Sequence, residues 1–132
     1  MPAAETILVA YDDPTTATLG RAADLAEALG SALIVTNVAP PAESAEAEKA
    51  EGYAHERLAQ ARSYLEQRHL SAELVPSTGP PADAIVRLAR QRNVDLIVVG
   101  TRRKGFFERL VEGSVNQEVL RHAPCDVLVV NS

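Results

Sequence analysis

The sequence contains no Trp and one Cys, and only 4% of its residues are aromatic. Cys125 therefore has no partner for an intrachain disulfide, and no Cys/His cluster has the spacing of a zinc site. The core has to be built from Ala, Val, Leu and Ile, which suits buried parallel strands covered by helices. No apolar run approaches a membrane span and no basic-apolar leader opens the chain, so no membrane partner and a cytoplasmic location are expected.

Positive charge is also scarce, because 13 Lys and Arg face 18 Asp and Glu for a net charge of −5. Binding to a nucleic-acid backbone depends on neutralising phosphates, so the charge argues against a nucleic-acid partner. A small molecule or another protein fits better. The length of 132 residues predicts one domain that spans residues 1–132.

What the sequence does contain is five short apolar runs separated by helical patterns. The runs predict strands at residues 6–11, 32–38, 71–76, 95–99 and 127–130. Thr15 or Thr16 is placed to cap the first helix, and Gly30 to close it. The third helix starts after Gly79-Pro80-Pro81, and the fourth runs from Ser114 to about His122.

The second helix follows an acidic, low-complexity segment at residues 42–51, which is predicted to be a mobile entry with a solvated face. Its apolar positions recur at helical spacing and comprise Ala54, Leu58, Ala61 and Leu65. The third strand carries Glu73 and Pro76, which a central strand would not tolerate, so we expect it at an edge of the sheet.

Alternating strands and helices predict a three-layer α/β/α fold with a five-stranded parallel sheet. The order 3-2-1-4-5 buries the apolar strands and leaves the third at an edge. The reversal between strands one and four then brings Asp12, Val38 and the loop after Gly100 around one crevice. At the other edge, the unpaired strand Val127 to Val130 predicts a homodimer formed by pairing with a second copy.

An anion site is indicated where strand four ends. Gly100 is followed by the basic residues 102–104, and Gly113-Ser114 opens the last helix. The end of a parallel strand beside a helix start presents free N–H groups and the positive end of the helix dipole. A simpler interpretation of the helix start is a capping box formed by Ser114 and Gln117.

Several separate blocks of this sequence resemble the universal stress protein family over nearly its whole length. They are Ile7-Leu8-Val9-Ala10-Tyr11-Asp12, Asp95-Leu96-Ile97-Val98-Val99-Gly100-Thr101, Gly113-Ser114-Val115, and Ala123-Pro124-Cys125 before the last strand. The resemblance implies a Rossmann-like fold of the adenine nucleotide alpha hydrolase-like group, a dimer, and a role in stress response. It also implies that the chain could bind ATP, as a subset of the family does.

The ATP-binding subset looks like G-x2-G-x9-G-[ST], and this chain matches that motif imperfectly. Gly100 and Gly113-Ser114 match, but Arg103 replaces the second glycine, and Asp12-Asp13-Pro14 stands where the family has Asp-Gly-Ser. The side chain of Arg103 either fills phosphate space or binds phosphate oxygens as a charged clamp. Both roles stay open from the sequence.

The resemblance implies a nucleotide site made by two groups of residues. Those expected around the base and ribose are Ala10, Tyr11, Asp12 and Val38. Those expected around the phosphates of ATP, with Mg²⁺ accompanying the nucleotide, are Gly100, Arg103, Gly113, Ser114 and Val115. The alternative is an interaction module that binds no nucleotide and acts through its dimer surface.

The sequence gives little support for an enzyme. Asp12 and Asp13 resemble the acidic pair of phospho-receiver domains, but the third strand has no Asp to phosphorylate and the last has no Lys. No nucleophile elbow accompanies a His, and Cys125 is expected to be packed rather than reactive. We therefore predict no catalytic residue and no protein-held metal, with slow ATP hydrolysis at most.

Overall fold

A computed structural model describes residues 5–11, 16–39, 45–101 and 114–131, which form a five-stranded parallel sheet with helices packed on it. The strands are β1 (Thr6–Ala10), β2 (Ala32–Ala39), β3 (Glu73–Thr78), β4 (Leu96–Gly100) and β5 (Asp126–Val130). The helices are α1 (Ala17–Leu29), α2 (Ala45–Gln67), α3 (Pro81–Gln91) and α4 (Ser114–His122).

The order of the strands is β3-β2-β1-β4-β5, which confirms the predicted topology. Every pair is parallel, with Ile7 beside Leu33 on one side and beside Leu96 on the other. The strand that carries Pro76 lies at the edge, as its composition predicted. The apolar strand β1 occupies the centre, where both faces are buried.

Successive residues of β1 point to opposite faces of the sheet, and each face has its own core. Ile7 and Val9 pack on the α1 and α2 side, together with Leu19 and Leu58. Leu8 packs on the other side with residues of α3 and α4 such as Ile85 and Val119. The predicted apolar face of α2 is confirmed, because all four of its residues are buried.

The helix ends follow the sequence signals closely. Gly30 closes α1 in the left-handed conformation, with φ of 65°, as expected of a C′ glycine. Thr16 is the N-cap residue of α1, although its side chain makes no capping hydrogen bond within the described residues. The predicted range of α4, Ser114 to His122, is confirmed. None of the helices in the described part of the chain combines the length and the apolar character that a membrane crossing requires.

Two predicted boundaries were wrong by more than one residue. α2 begins at Ala45, so residues 45–51 are helical rather than a mobile entry, which agrees with the strong helix propensity of their Ala, Glu and Lys residues. β3 begins at Glu73, two residues after the predicted start at residue 71. The turn that ends α2 extends to His69, at φ of 58°, and Leu70, whose N–H bonds the Leu65 carbonyl at 2.9 Å.

Candidate functional site

The candidate site lies at the carboxyl ends of β1 and β4, the neighbouring strands at which the direction of winding reverses. From β1 the chain continues through α1 to β2, whereas β4 continues to β5 on the opposite side. The two connections therefore separate and leave a crevice beyond the strand ends.

Three of the residues expected around a base and ribose lie on this crevice side of the sheet. Ala10 ends β1 beside Thr36, and the N–H of Tyr11 donates to the Thr36 carbonyl at 2.8 Å. Val38 lies near the end of β2, beside Ser77. Tyr11 and Val38 are both 3% exposed and belong to the cores on opposite faces of the sheet.

Asn37 fixes the end of β1, a role that the sequence did not reveal. It is fully buried, and its Nδ2 donates a hydrogen bond of 2.7 Å to the carbonyl of Tyr11. This bond joins β2 to the first residue after β1, beyond the last paired residues of the two strands. An amide inside an otherwise apolar strand was the only signal available.

On the other side of the crevice, Gly100 is the last residue of β4 and is buried. Its carbonyl accepts a hydrogen bond of 3.2 Å from Nδ2 of Asn116, a side chain in the first turn of α4 that is also buried. The next residue, Thr101, donates its N–H to the Val130 carbonyl at 3.0 Å. The start of α4 is thus held at the end of β4, where free helix N–H groups favour an anion. Asn116, like Asn37, was missed by sequence reasoning.

The remaining predicted residues divide into two groups. Ser114 and Val115 begin α4, which places their backbone at the helix start beside β4. Asp12, Arg103 and Gly113 lie outside the described residues. The structure therefore brings together the ends of β1, β2 and β4 with the start of α4, and these three predictions stay predictions.

The ionisable groups of the described residues form no metal-binding cluster. No group of three or more His, Cys, Asp or Glu in the described ranges could hold a metal ion. Cys125 lies just before β5, at the amino end of the sheet and thus opposite the crevice. Partial burial raises the pKa of its thiol, and the nearby carboxylates of Asp126 and Asp95 raise it further. A protonated thiol at neutral pH is a poor nucleophile, which agrees with the expectation of a packed residue.

The chain is similar to known proteins in both sequence and structure. The sequence profile described as the universal stress protein family matches residues 4–131. The chain resembles the crystal structure of a universal stress protein in complex with cAMP, with 30% identity and a TM-score of 0.77 over 98% of both chains. A universal stress protein from Archaeoglobus fulgidus is similar at 25% identity and a TM-score of 0.75, over 96% of this chain and 98% of that one. These structures share the five-stranded Rossmann-like fold.

A protein of Staphylococcus aureus (strain USA300) that carries the same family name is 47% identical over 55 residues. The match covers 41% of this chain and 33% of that protein, so the chain spans about a third of the length of the curated relatives that it matches.

Proposed function

Because the chain belongs to the universal stress protein family, we propose that it is a stress-response protein that binds ATP or a related adenine nucleotide in the crevice between β1 and β4. The base and ribose contact Ala10, Tyr11, Asp12 and Val38. The phosphates contact Gly100, Arg103, Gly113, Ser114 and Val115. Mg²⁺ enters with the phosphates, because ATP-bound magnesium takes much of its coordination from the nucleotide and water.

The observation that carries the proposal is the joining of the α4 start to the end of β4 by the Asn116–Gly100 hydrogen bond. It holds a helix amino terminus beside a strand end at the switch point, where open α/β sheets bind phosphorylated ligands. The relative with 30% identity was solved in complex with cAMP, which supports an adenine nucleotide as the ligand class.

The basic residues 102–104 supply the charge that the proposal needs. The chain has a net charge of −5, yet it carries three consecutive cations shortly after the end of β4. Arg103 in particular can bind phosphate oxygens through two N–H groups, which compensates for the backbone contacts that a glycine would allow. We therefore propose that the side chain of Arg103 binds the phosphate oxygens rather than filling the space that the phosphates need.

Isothermal titration of nucleotide-stripped protein with ATP and with cAMP, with and without Mg²⁺, tests the proposal. We expect saturable heat and a raised unfolding temperature, because a ligand at 100 times its Kd stabilises the folded state by about 2.7 kcal/mol. Asp12→Asn should weaken binding, whereas Glu56→Gln, an exposed change on α2, should not. The absence of both heat and thermal shift at millimolar nucleotide would leave the alternative, an interaction module that acts through its dimer surface.

We propose that the protein forms a homodimer through β5. Its described residues pair with β4 on one side, and Val129 at the opposite edge is 38% exposed, which supports pairing with a second copy. Any ATP hydrolysis is slow, because no general base is assigned to the crevice. The cytoplasmic location stays a prediction of the sequence.

A further inference from the structure

A large groove lies between α2 and the edge strand β3, and its lining residue Ser77 is the β3 neighbour of Val38. Its volume is about 730 Å³, within the range of roughly 300–1,000 Å³ that is typical of small-molecule sites. None of the described residues that line it is among the nine proposed nucleotide contacts. It also lies beside β3, and β2 separates that strand from β1.

The floor of the groove is apolar. Ala54 and Leu58 contribute from α2, and Leu74 and Pro76 contribute from β3. Ala54 and Leu58 are buried members of the core, which makes this floor part of the rigid fold. The groove lies at an edge of the sheet, because β3 is the last strand on this side. Such a surface favours an aliphatic or aromatic ligand body.

The rim of the groove is positively charged or neutral. His55, Ala59 and Arg62 follow one another at spacings of four and three along α2, so they lie on one side of the helix. Although the chain has 18 acidic residues, none of the described residues that line the groove is Asp or Glu. Ser63 and Thr78 add hydroxyl groups to the rim.

Arg62 differs in its contacts from the other arginine near the end of α2. Arg68 bonds Asp24 at 2.7 Å and Glu27 at 2.9 Å, so its charge is matched within the fold. Within the described residues, Arg62 has no ion pair or hydrogen bond, and its exposed side chain lines the apolar groove. A cation at the rim of an apolar groove complements a ligand that has one anionic group and an apolar body.

We propose that this groove binds an amphipathic monocarboxylate, such as a medium-chain fatty acid. The carboxylate pairs with the guanidinium of Arg62, and the apolar chain lies over Leu58, Leu74 and Pro76. This binding is independent of the nucleotide site and of any catalytic activity.

Calorimetric titration of the full chain with dodecanoate, below its micelle concentration, tests the proposal. We expect saturable binding, with NMR amide shifts concentrated on α2 and β3. Arg62→Ala should weaken dodecanoate binding about tenfold or more, because it removes a charge-assisted contact. The matched control is Arg21→Ala, which removes one exposed arginine from α1 and should leave the affinity unchanged. Dodecanol should bind weakly and with no sensitivity to Arg62.

A second variant blocks the groove without touching the core. Ala59 is exposed at the rim, so Ala59→Trp should keep the fold, as checked by circular dichroism and thermal unfolding, and abolish dodecanoate binding. Equal dodecanoate affinity in the unmodified chain, Arg62→Ala and Ala59→Trp would overturn the proposal, as would no binding at all. Competition by ATP would also overturn it, because it would place dodecanoate in the crevice. If the protein bound dodecanoate but not ATP, the proposed groove site would be supported and only the proposed nucleotide site would be contradicted.

Discussion

The side-chain amide of Asn116 donates a hydrogen bond of 3.2 Å to the carbonyl of Gly100, and this bond joins the first turn of α4 to the last residue of β4. Both residues are buried. A buried hydrogen bond of this kind orients its two partners and also contributes to stability, because the loss of one partner leaves the other buried without a bond. This amide therefore helps to orient the α4 start relative to the crevice, together with the core packing of Val119.

We predict that Asn116→Ala lowers the free energy of unfolding by about 1–3 kcal/mol, since the carbonyl of Gly100 loses its donor. ATP affinity should fall as well, because the helix start is no longer held at the end of β4. Urea unfolding and calorimetry measure the two effects. Gln67→Ala changes an exposed amide at the end of α2 and should alter stability by less than about 0.5 kcal/mol. Equal effects of the two substitutions would show that the Asn116 bond does not position α4.

Asn37 performs the corresponding task at the end of β1, where its Nδ2 lies 2.7 Å from the Tyr11 carbonyl. Asn37→Asp replaces this donor with a buried carboxylate that faces an acceptor. We expect a loss of more than about 2 kcal/mol at neutral pH, measured by urea unfolding. Part of the loss should be recovered as the pH falls and the new carboxyl takes up a proton. Asn93→Asp is the control: Asn93 is exposed at φ of 52°, a conformation that Asp also tolerates.

Substitution of Arg103 tests whether the imperfect glycine motif binds phosphate through this side chain. Under the clamp proposal, Arg103→Gly lowers ATP affinity about tenfold or more, because a charge-assisted contact is lost. Calorimetry with ATP and with adenosine separates the two parts of the site, and adenosine affinity should not change. A gain in ATP affinity would mean that the side chain occupies phosphate space. An unchanged affinity would mean that Arg103 does not face the crevice.

The topology could be predicted because the composition of each strand indicates its position in the sheet. β1 is apolar throughout and central, whereas Glu73 and Pro76 mark β3 as an edge strand. Asn37 and Asn116 could not be predicted as site residues, because an amide in a strand or a helix does not indicate which carbonyl it bonds. Their partners are 26 and 16 residues away in the chain, and only the folded sheet brings them together.

The start of β3 shows a second limit of the sequence. The turn after α2 uses His69 in a left-handed conformation, a position that Gly or Asn usually occupies. Without that signal, the length of the turn could not be estimated, and the predicted strand began two residues early.

The ion pair between Glu73 and Arg92 gives a pH-dependent prediction. Arg92 contacts both carboxylate oxygens, with Nε at 3.1 Å and Nη2 at 3.0 Å, and these hydrogen bonds hold the pKa of Glu73 below its ordinary value. A lowered folded-state pKa means that the pair stabilises the fold above the ordinary Glu pKa of about 4.3 and that this stabilisation is lost as the pH falls through the lower value.

Glu73→Gln should therefore lower the urea midpoint at pH 7, and the difference from the unmodified protein should shrink as the pH falls below about 4. The effect is modest because the pair is exposed. Glu56→Gln removes an exposed carboxylate from α2 and provides the reference for the loss of one charge. A difference between Glu73→Gln and the unmodified protein that is independent of pH would contradict the assigned role of the ion pair.

The proposed dimer predicts a specific effect of charge on β5. Val129 is 38% exposed on the strand that ends the sheet, and a two-fold axis beside it would pair the β5 strands of two copies. Val129→Lys places a charge on that edge, which is how natural edge strands avoid pairing, so we expect the mass measured by light scattering to fall from dimer to monomer. Leu29→Lys is the matched control, because Leu29 is 37% exposed but lies at the end of α1. If both variants keep the dimer mass, the interface lies elsewhere, and a monomeric unmodified protein would refute the dimer itself.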